Sequence, residues 1–148
     1  MINIHFKDTN VEFLHQLEHK YLFVVGDSAT GKSTFVELVR LAASESALCL
    51  EDSNVYAVTG AEPEISILTT SGNVYVIDEE APFWKRPDYC QILMKSDNHF
   101  ILMFRDLPAF SNSLPMGLDD ICEIWQEGSL YKFCPITKGH IRYHNGKR

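Results

Sequence analysis

Gly26-Asp27-Ser28-Ala29-Thr30-Gly31-Lys32-Ser33 is an unbroken G-x-x-x-x-G-K-[ST] stretch, the Walker A form of a phosphate-binding loop, and the rest of the chain is arranged around it. Its two glycines, Gly26 and Gly31, let the backbone wrap closely round an anion, so that successive N–H groups and the positive end of a following helix point at phosphate. In this pattern Lys32 reaches the β- and γ-phosphates and Ser33 offers its hydroxyl to Mg²⁺. Asp27, Ser28, Ala29, Thr30 and Thr34 complete the predicted nucleotide-binding set. The motif carries weight only between a strand and a helix. Tyr21-Leu22-Phe23-Val24-Val25 before it is a continuous apolar, β-rich run, as a strand buried on both faces should be. Behind it Phe35, Val36, Leu38, Val39 and Ala42 or Ala43 recur at helical spacing, which predicts a helix from about Lys32 to Ala43. The bland alternative, a glycine-rich turn with an incidental lysine, explains neither flank.

Outward from the loop, Val74-Tyr75-Val76-Ile77-Asp78-Glu79 is an apolar run ending in two acids, the form of a Walker B strand. A carboxylate at a strand's end can hold the Mg²⁺ shell opposite Ser33, which assigns that role to Asp78. Glu79 is placed to polarise an attacking water. Glu80 reads as a solvated spare, with a one-residue ambiguity between it and Glu79. By itself such a run is weak, because many surface strands end in acids; the intact loop upstream strengthens it. A catalytic Glu beside the metal-binding Asp goes with an extra strand between the phosphate-loop strand and the Walker B strand. His99-Phe100-Ile101-Leu102-Met103-Phe104, ending in Arg105, is the predicted inserted strand. Ligands of such sheets bind beyond the carboxyl ends of the strands, which makes Arg105 a candidate γ-phosphate sensor. The alternative, a salt bridge from Arg105 to Asp106 or a neighbouring acid, weighs equally.

Elsewhere the signals are coarser. Ile2, Ile4 and Phe6 alternate with polar residues, Asp8-Thr9-Asn10 marks a turn, and Val11, Phe13 and Leu14 form a return strand. Ala47 to Leu50 suits a buried strand and Val55 to Val58 a short extended piece, while Glu64 to Thr70 is helix or strand, undecided. Ser71-Gly72-Asn73 reads as a turn, and Pro87 opens a helix through Tyr89, Ile92, Leu93 and Met94. Asp119 introduces a further helix with Leu118, Ile121, Cys122 and Trp125 on one face. Leu130 to Cys134 is the expected last core strand, and Ile141 and Tyr143 alternate as a small edge strand. Strands alternating with helices predict an α/β fold: a single three-layer P-loop NTPase domain over residues 1–148, its mostly parallel central sheet of about five strands edged by an antiparallel N-terminal hairpin.

Composition agrees with a soluble globular chain, with 45% hydrophobic and 22% charged residues in 148. A net charge of −7 argues against a surface built to neutralise nucleic-acid phosphates. The basic tail of Lys138, His140, Arg142, His144, Lys147 and Arg148 reads as a solvated terminus. Cys49, Cys90, Cys122 and Cys134 are scattered without a C-x-x-C pair and read as buried thiols of a reducing compartment. His15 and His19, four apart without a nearby carboxylate or cysteine partner, read as surface histidines in preference to a metal pair. Met1 to Lys7 alternates and forms no apolar block, and no run approaches spanning length, so no secretory signal, no membrane and a cytoplasmic location are expected.

On these motifs the chain resembles small P-loop ATP-binding proteins of bacterial prophages and conjugative elements. The likeness rests on Val25 to Ser33, on Val76-Ile77-Asp78-Glu79, and on Asn98 to Pro108 with Leu114-Pro115 and Asp119 to Ile124. Only the third of these is particular to the group. The resemblance implies ATP binding and a mobile-element origin, with no defined pathway. Lys32, Glu79 and Arg105 are then the catalytic set, Ser33 and Asp78 the metal set, and ATP or ADP with Mg²⁺ the cofactors. The expected activity is slow ATP hydrolysis in an accessory protein that works with a protein partner or as a homo-oligomer. The alternatives are a nucleotide-dependent protein-binding module or inhibitor of a host system, and, with Arg86 and Arg105 as thin provision for a lid, a small-molecule kinase. Replacing Arg105 by Ala should slow phosphate release more than it weakens ADP binding, as measured by a coupled phosphate assay beside calorimetry; equal losses in both would mark a structural role.

Overall fold

Three apolar runs become the central strands. In the computed structural model, which describes residues 2–7, 12–26, 34–37, 39, 49–50, 55–58 and 67–136, β1 is Ile2–Lys7, β2 Glu12–Leu17, β3 Tyr21–Val25 and β4 Cys49–Leu50. β5 is Val55–Val58, β6 Ser71–Asp78, β7 Asp97–Phe104, β8 Ile121–Glu127 and β9 Leu130–Pro135. All nine join one sheet in the order β4-β1-β2-β9-β8-β3-β7-β6-β5. From β8 to β5 every neighbouring pair is parallel. β7 lies between β3 and β6, as the inserted strand was expected to.

Alternation along these strands divides the core between the two faces of the sheet. Leu22 and Val24 of β3, Val74 and Val76 of β6, and Ile101 and Met103 of β7 share one cluster with Phe35 and Val39. Tyr21 and Phe23, Tyr75 and Ile77, and Phe100, Leu102 and Phe104 share the other with Phe83, Ile92, Leu93 and Leu114. Burial on both faces is why these runs carry no period-two polar positions.

The three-layer α/β P-loop domain expected from the sequence is not the architecture of the described residues. The sheet has nine strands and is mixed: β8 and β9, β1 and β2, and β1 and β4 pair antiparallel. Helix is scarce among the described residues: Tyr89–Lys95, residues 34–37 and 39, residues 67–69, and 3-10 turns at Pro82–Lys85, Ala109–Ser113 and Leu118–Asp120. The helix expected after Asp119 is β8. Ile121, Cys122 and Ile124 are buried there while Leu118 is 66% exposed, a pattern set by pairing with β3 and β9 and not by helical spacing. The N-terminal hairpin forms from Ile2↔Leu17 to Lys7↔Glu12, but it is no edge: β4 adds beyond β1, and β2 pairs parallel with β9. The turn expected at Ser71-Gly72-Asn73 is the start of β6, where the register shifts between Ser71 and Val74 and Gly72 takes φ +77°. Leu38, Ala42, Ala43, Glu64, Ile141, Tyr143 and the basic tail lie outside the described residues.

One buried polar side chain ties the amino ends of β6 and β7 to the segment before them. Asn98 Nδ2 donates to Ile67 O at 2.9 Å and Thr70 O at 3.1 Å, and its Oδ1 accepts from Asn73 N–H at 2.9 Å. Ser96 Oγ also donates to Ile67 O, at 2.8 Å. Asn98→Ala strips partners from several buried groups at once and should cost about 3 kcal/mol of unfolding free energy in urea titration, each orphaned group being worth roughly 1–3 kcal/mol.

Candidate functional site

Because β3, β6 and β7 run parallel, their carboxyl ends fall on one edge of the sheet. Val25 stands opposite Phe104 and Asp78 opposite Met103, so Gly26, Asp78, Glu79 and Arg105 emerge together. Gly26 leaves β3 with φ +138°, a conformation that glycine adopts at no steric cost.

A relay of hydrogen bonds links these residues. Gly26 N–H donates to Arg105 O at 3.1 Å. Arg105 N–H donates to Glu79 Oε1 at 2.8 Å. Glu79 N–H donates to Asp78 Oδ1 at 2.9 Å. The ends of all three strands are thereby tied through two carboxylates and three backbone donors. Glu79, not Glu80, makes the link; Glu80 is exposed. The Arg105 side chain is exposed and forms no ion pair with Asp106 or any other acid among the described residues.

The structure thus brings together Gly26, Asp78, Glu79 and Arg105 of the residues singled out in the sequence. Thr34 is half-buried in the helical segment of residues 34–37. Asp27, Ser28, Ala29, Thr30, Gly31, Lys32 and Ser33 lie outside the described residues. Among the described residues no group of three or more His, Cys, Asp or Glu could hold a metal by itself. The donor set here is a single half-buried carboxylate, Asp78, at the strand end. That set fits Mg²⁺, which is ordinarily bound through one or two carboxylates with substrate phosphates and water, and it fits no all-protein cage.

Trp84 belongs to the site without having been legible as part of it. Its Nε1–H donates to Asp78 O at 2.8 Å, a carbonyl that also accepts Ala81 N–H at 3.0 Å. No sequence signal connects an indole six residues after an acid to that acid's carbonyl.

At the opposite, amino edge of the parallel strands lies a cavity of about 240 Å³ lined by His15, His19, Asp120 and Cys122 among others. The two histidines differ. His15 sits within β2 with its ring 5.1 Å from that of Phe133, and burial pushes its pKa down to about 4 against a backbone hydrogen bond to Phe133. His19 follows β2 in solvent, and its Nδ1 meets Asp120 Oδ1 at 2.6 Å. The hydrogen bond and charge of Asp120 raise its pKa, with Glu18 and Asp119 adding to the effect. The expected surface placement holds for His19; His15 is mostly buried because its strand faces the core.

Their contributions to stability have opposite signs. Unfolded His15 takes up a proton near its ordinary 6.5 while the folded side chain resists until about 4, so stability falls as pH drops through that window. His19 binds its proton more tightly in the folded chain, so its contribution is complete below 6.5 and is lost as pH rises through its folded value. In urea titrations, His19→Gln should lower stability at about pH 6 and leave it nearly unchanged at about pH 9. His15→Gln should flatten the acid-side decline instead.

Compared with known proteins, the chain matches no family model, no curated protein and no solved structure.

Proposed function

We propose that the chain binds ATP or ADP with Mg²⁺ and hydrolyses ATP slowly. The observation that carries this reading is the hydrogen-bonded convergence of Gly26, Arg105, Glu79 and Asp78 at the carboxyl ends of three adjacent parallel strands, where Gly26 is the first residue of a complete G-x-x-x-x-G-K-S pattern. Lys32 would hold the β- and γ-phosphates through its ammonium, and the Ser33 hydroxyl with Asp78 would hold Mg²⁺, which would neutralise charge on the phosphate oxygens. Glu79 orients the attacking water and accepts its proton. The exposed guanidinium of Arg105 stabilises negative charge on the transferred group.

The alternative, a nucleotide-dependent module that binds a protein partner, shares the G-x-x-x-x-G-K-S pattern and differs in having no significant turnover. The accessory role in a phage or mobile element belongs to the proposal as well and rests on the resemblance.

Calorimetric titration with ATP and ADP in Mg²⁺, run beside phosphate release, tests the reading. Lys32→Ala should abolish binding. Glu79→Gln should retain binding and lose at least about 100-fold in turnover, the ordinary share of a positioned general base. Binding by wild type with no turnover in either form would favour the module, and no binding at all would end both readings.

A further inference from the structure

We propose that Trp84 is the positioning residue for the Asp78–Glu79 carboxylates, and that it acts through the Asp78 carbonyl. The inference rests on the nucleotide-binding reading above. Asp78 O accepts two hydrogen bonds, from Ala81 N–H at 3.0 Å and from Trp84 Nε1–H at 2.8 Å. The first closes the turn of residues 78–81 in which Glu79 sits. The second anchors that turn to the following 3-10 turn, Pro82–Lys85.

The same indole reaches the neighbouring strand end. Its ring centroid lies 5.1 Å from that of Phe104, the residue before Arg105, and 5.2 Å from Phe110 and 5.4 Å from Tyr89. A single rigid side chain thus holds the backbone at the end of β6 by hydrogen bonding and the end of β7 by ring packing. The spacing it sets is the one across which Glu79 Oε1 accepts from Arg105 N–H at 2.8 Å. A Trp serving only as an aromatic filler would place its ring in this cluster equally well. The indole N–H is the Trp84 group that hydrogen-bonds Asp78, so an analogue that keeps the bicyclic ring without the N–H separates the two roles, and Trp84→Phe approximates it with a smaller ring.

The test is the Mg²⁺ dependence of ATP affinity, measured by calorimetry with excess Mg²⁺ and with EDTA, for wild type and Trp84→Phe. Asp78 matters to the metal-bound complex, whereas the phosphate-binding loop also serves the metal-free one. Trp84→Phe should leave affinity in EDTA unchanged and reduce the Mg²⁺ enhancement about five- to tenfold, the effect of one hydrogen bond of about 1 kcal/mol. Amide hydrogen exchange without nucleotide should be faster at Glu79 and Arg105 in the variant. An enhancement equal to wild type overturns the positioning role while leaving the nucleotide reading intact. Equal losses with and without Mg²⁺ reduce Trp84 to a packing residue and overturn it too. Failure of wild type to bind ATP in either condition overturns the nucleotide reading and this inference with it. If Trp84→Phe does not fold, site-specific replacement of Trp84 by benzothienylalanine, which keeps the bicyclic shape without the N–H, makes the same comparison with the same outcomes.

Discussion

Burial of β3, β6 and β7 on both faces is the constraint from which the rest of the molecule follows. Tyr21 to Val24, Val74 to Ile77 and Phe100 to Met103 are almost completely removed from solvent. In such strands every backbone N–H and C=O must be paired within the ladder, and no side chain can be polar without a dedicated partner. Polar chemistry is therefore displaced to the strand ends. Asn98, with its bonds to Ile67, Thr70 and Asn73, marks the amino edge, and Asp78, Glu79 and Arg105 mark the carboxyl edge.

The two edges are secured differently. At the amino edge, Phe100 N–H donates to Lys20 O at 2.8 Å, Tyr21 Oη to Leu93 O at 2.9 Å, and His19 meets Asp120. These contacts pin the entries into β3, β7 and β8 to one another. At the carboxyl edge the links run through Glu79, the Arg105 backbone and the Trp84 indole, and the side chains of Glu79 and Arg105 remain exposed. The sheet fixes the backbone at this edge, while Glu79 Oε1 is held by Arg105 N–H and the Arg105 guanidinium faces solvent.

Much of the central sheet was legible because its signals are local. A continuous apolar run bounded by glycine or by acids can only be a strand buried on both faces or a buried helix, and five or six residues are too few for the latter. Asp78, Glu79 and Arg105 were legible for the same reason: each stands at the end of such a run, where the polypeptide first meets water. The stretch from Leu118 to Trp125 was misread because Ile121, Cys122 and Trp125 satisfy helical spacing while Ile121, Cys122 and Ile124 are the residues buried by β8. Short apolar segments fit both periods, and the choice falls to whichever partner is available, here β3 on one side and β9 on the other.

By itself the sequence determined the strand identities of β3, β6 and β7, the order of polar residues at their ends, and the G-x-x-x-x-G-K-S pattern that follows β3. Each depends on neighbours in the chain and on the water they meet. Only the tertiary structure decided that the described strands form one nine-stranded mixed sheet, that Glu79 rather than Glu80 meets Arg105 N–H, and that Trp84 closes on Asp78. Those outcomes depend on pairing and packing between segments far apart in sequence, where the same local pattern is compatible with several partners and only the assembled core selects one.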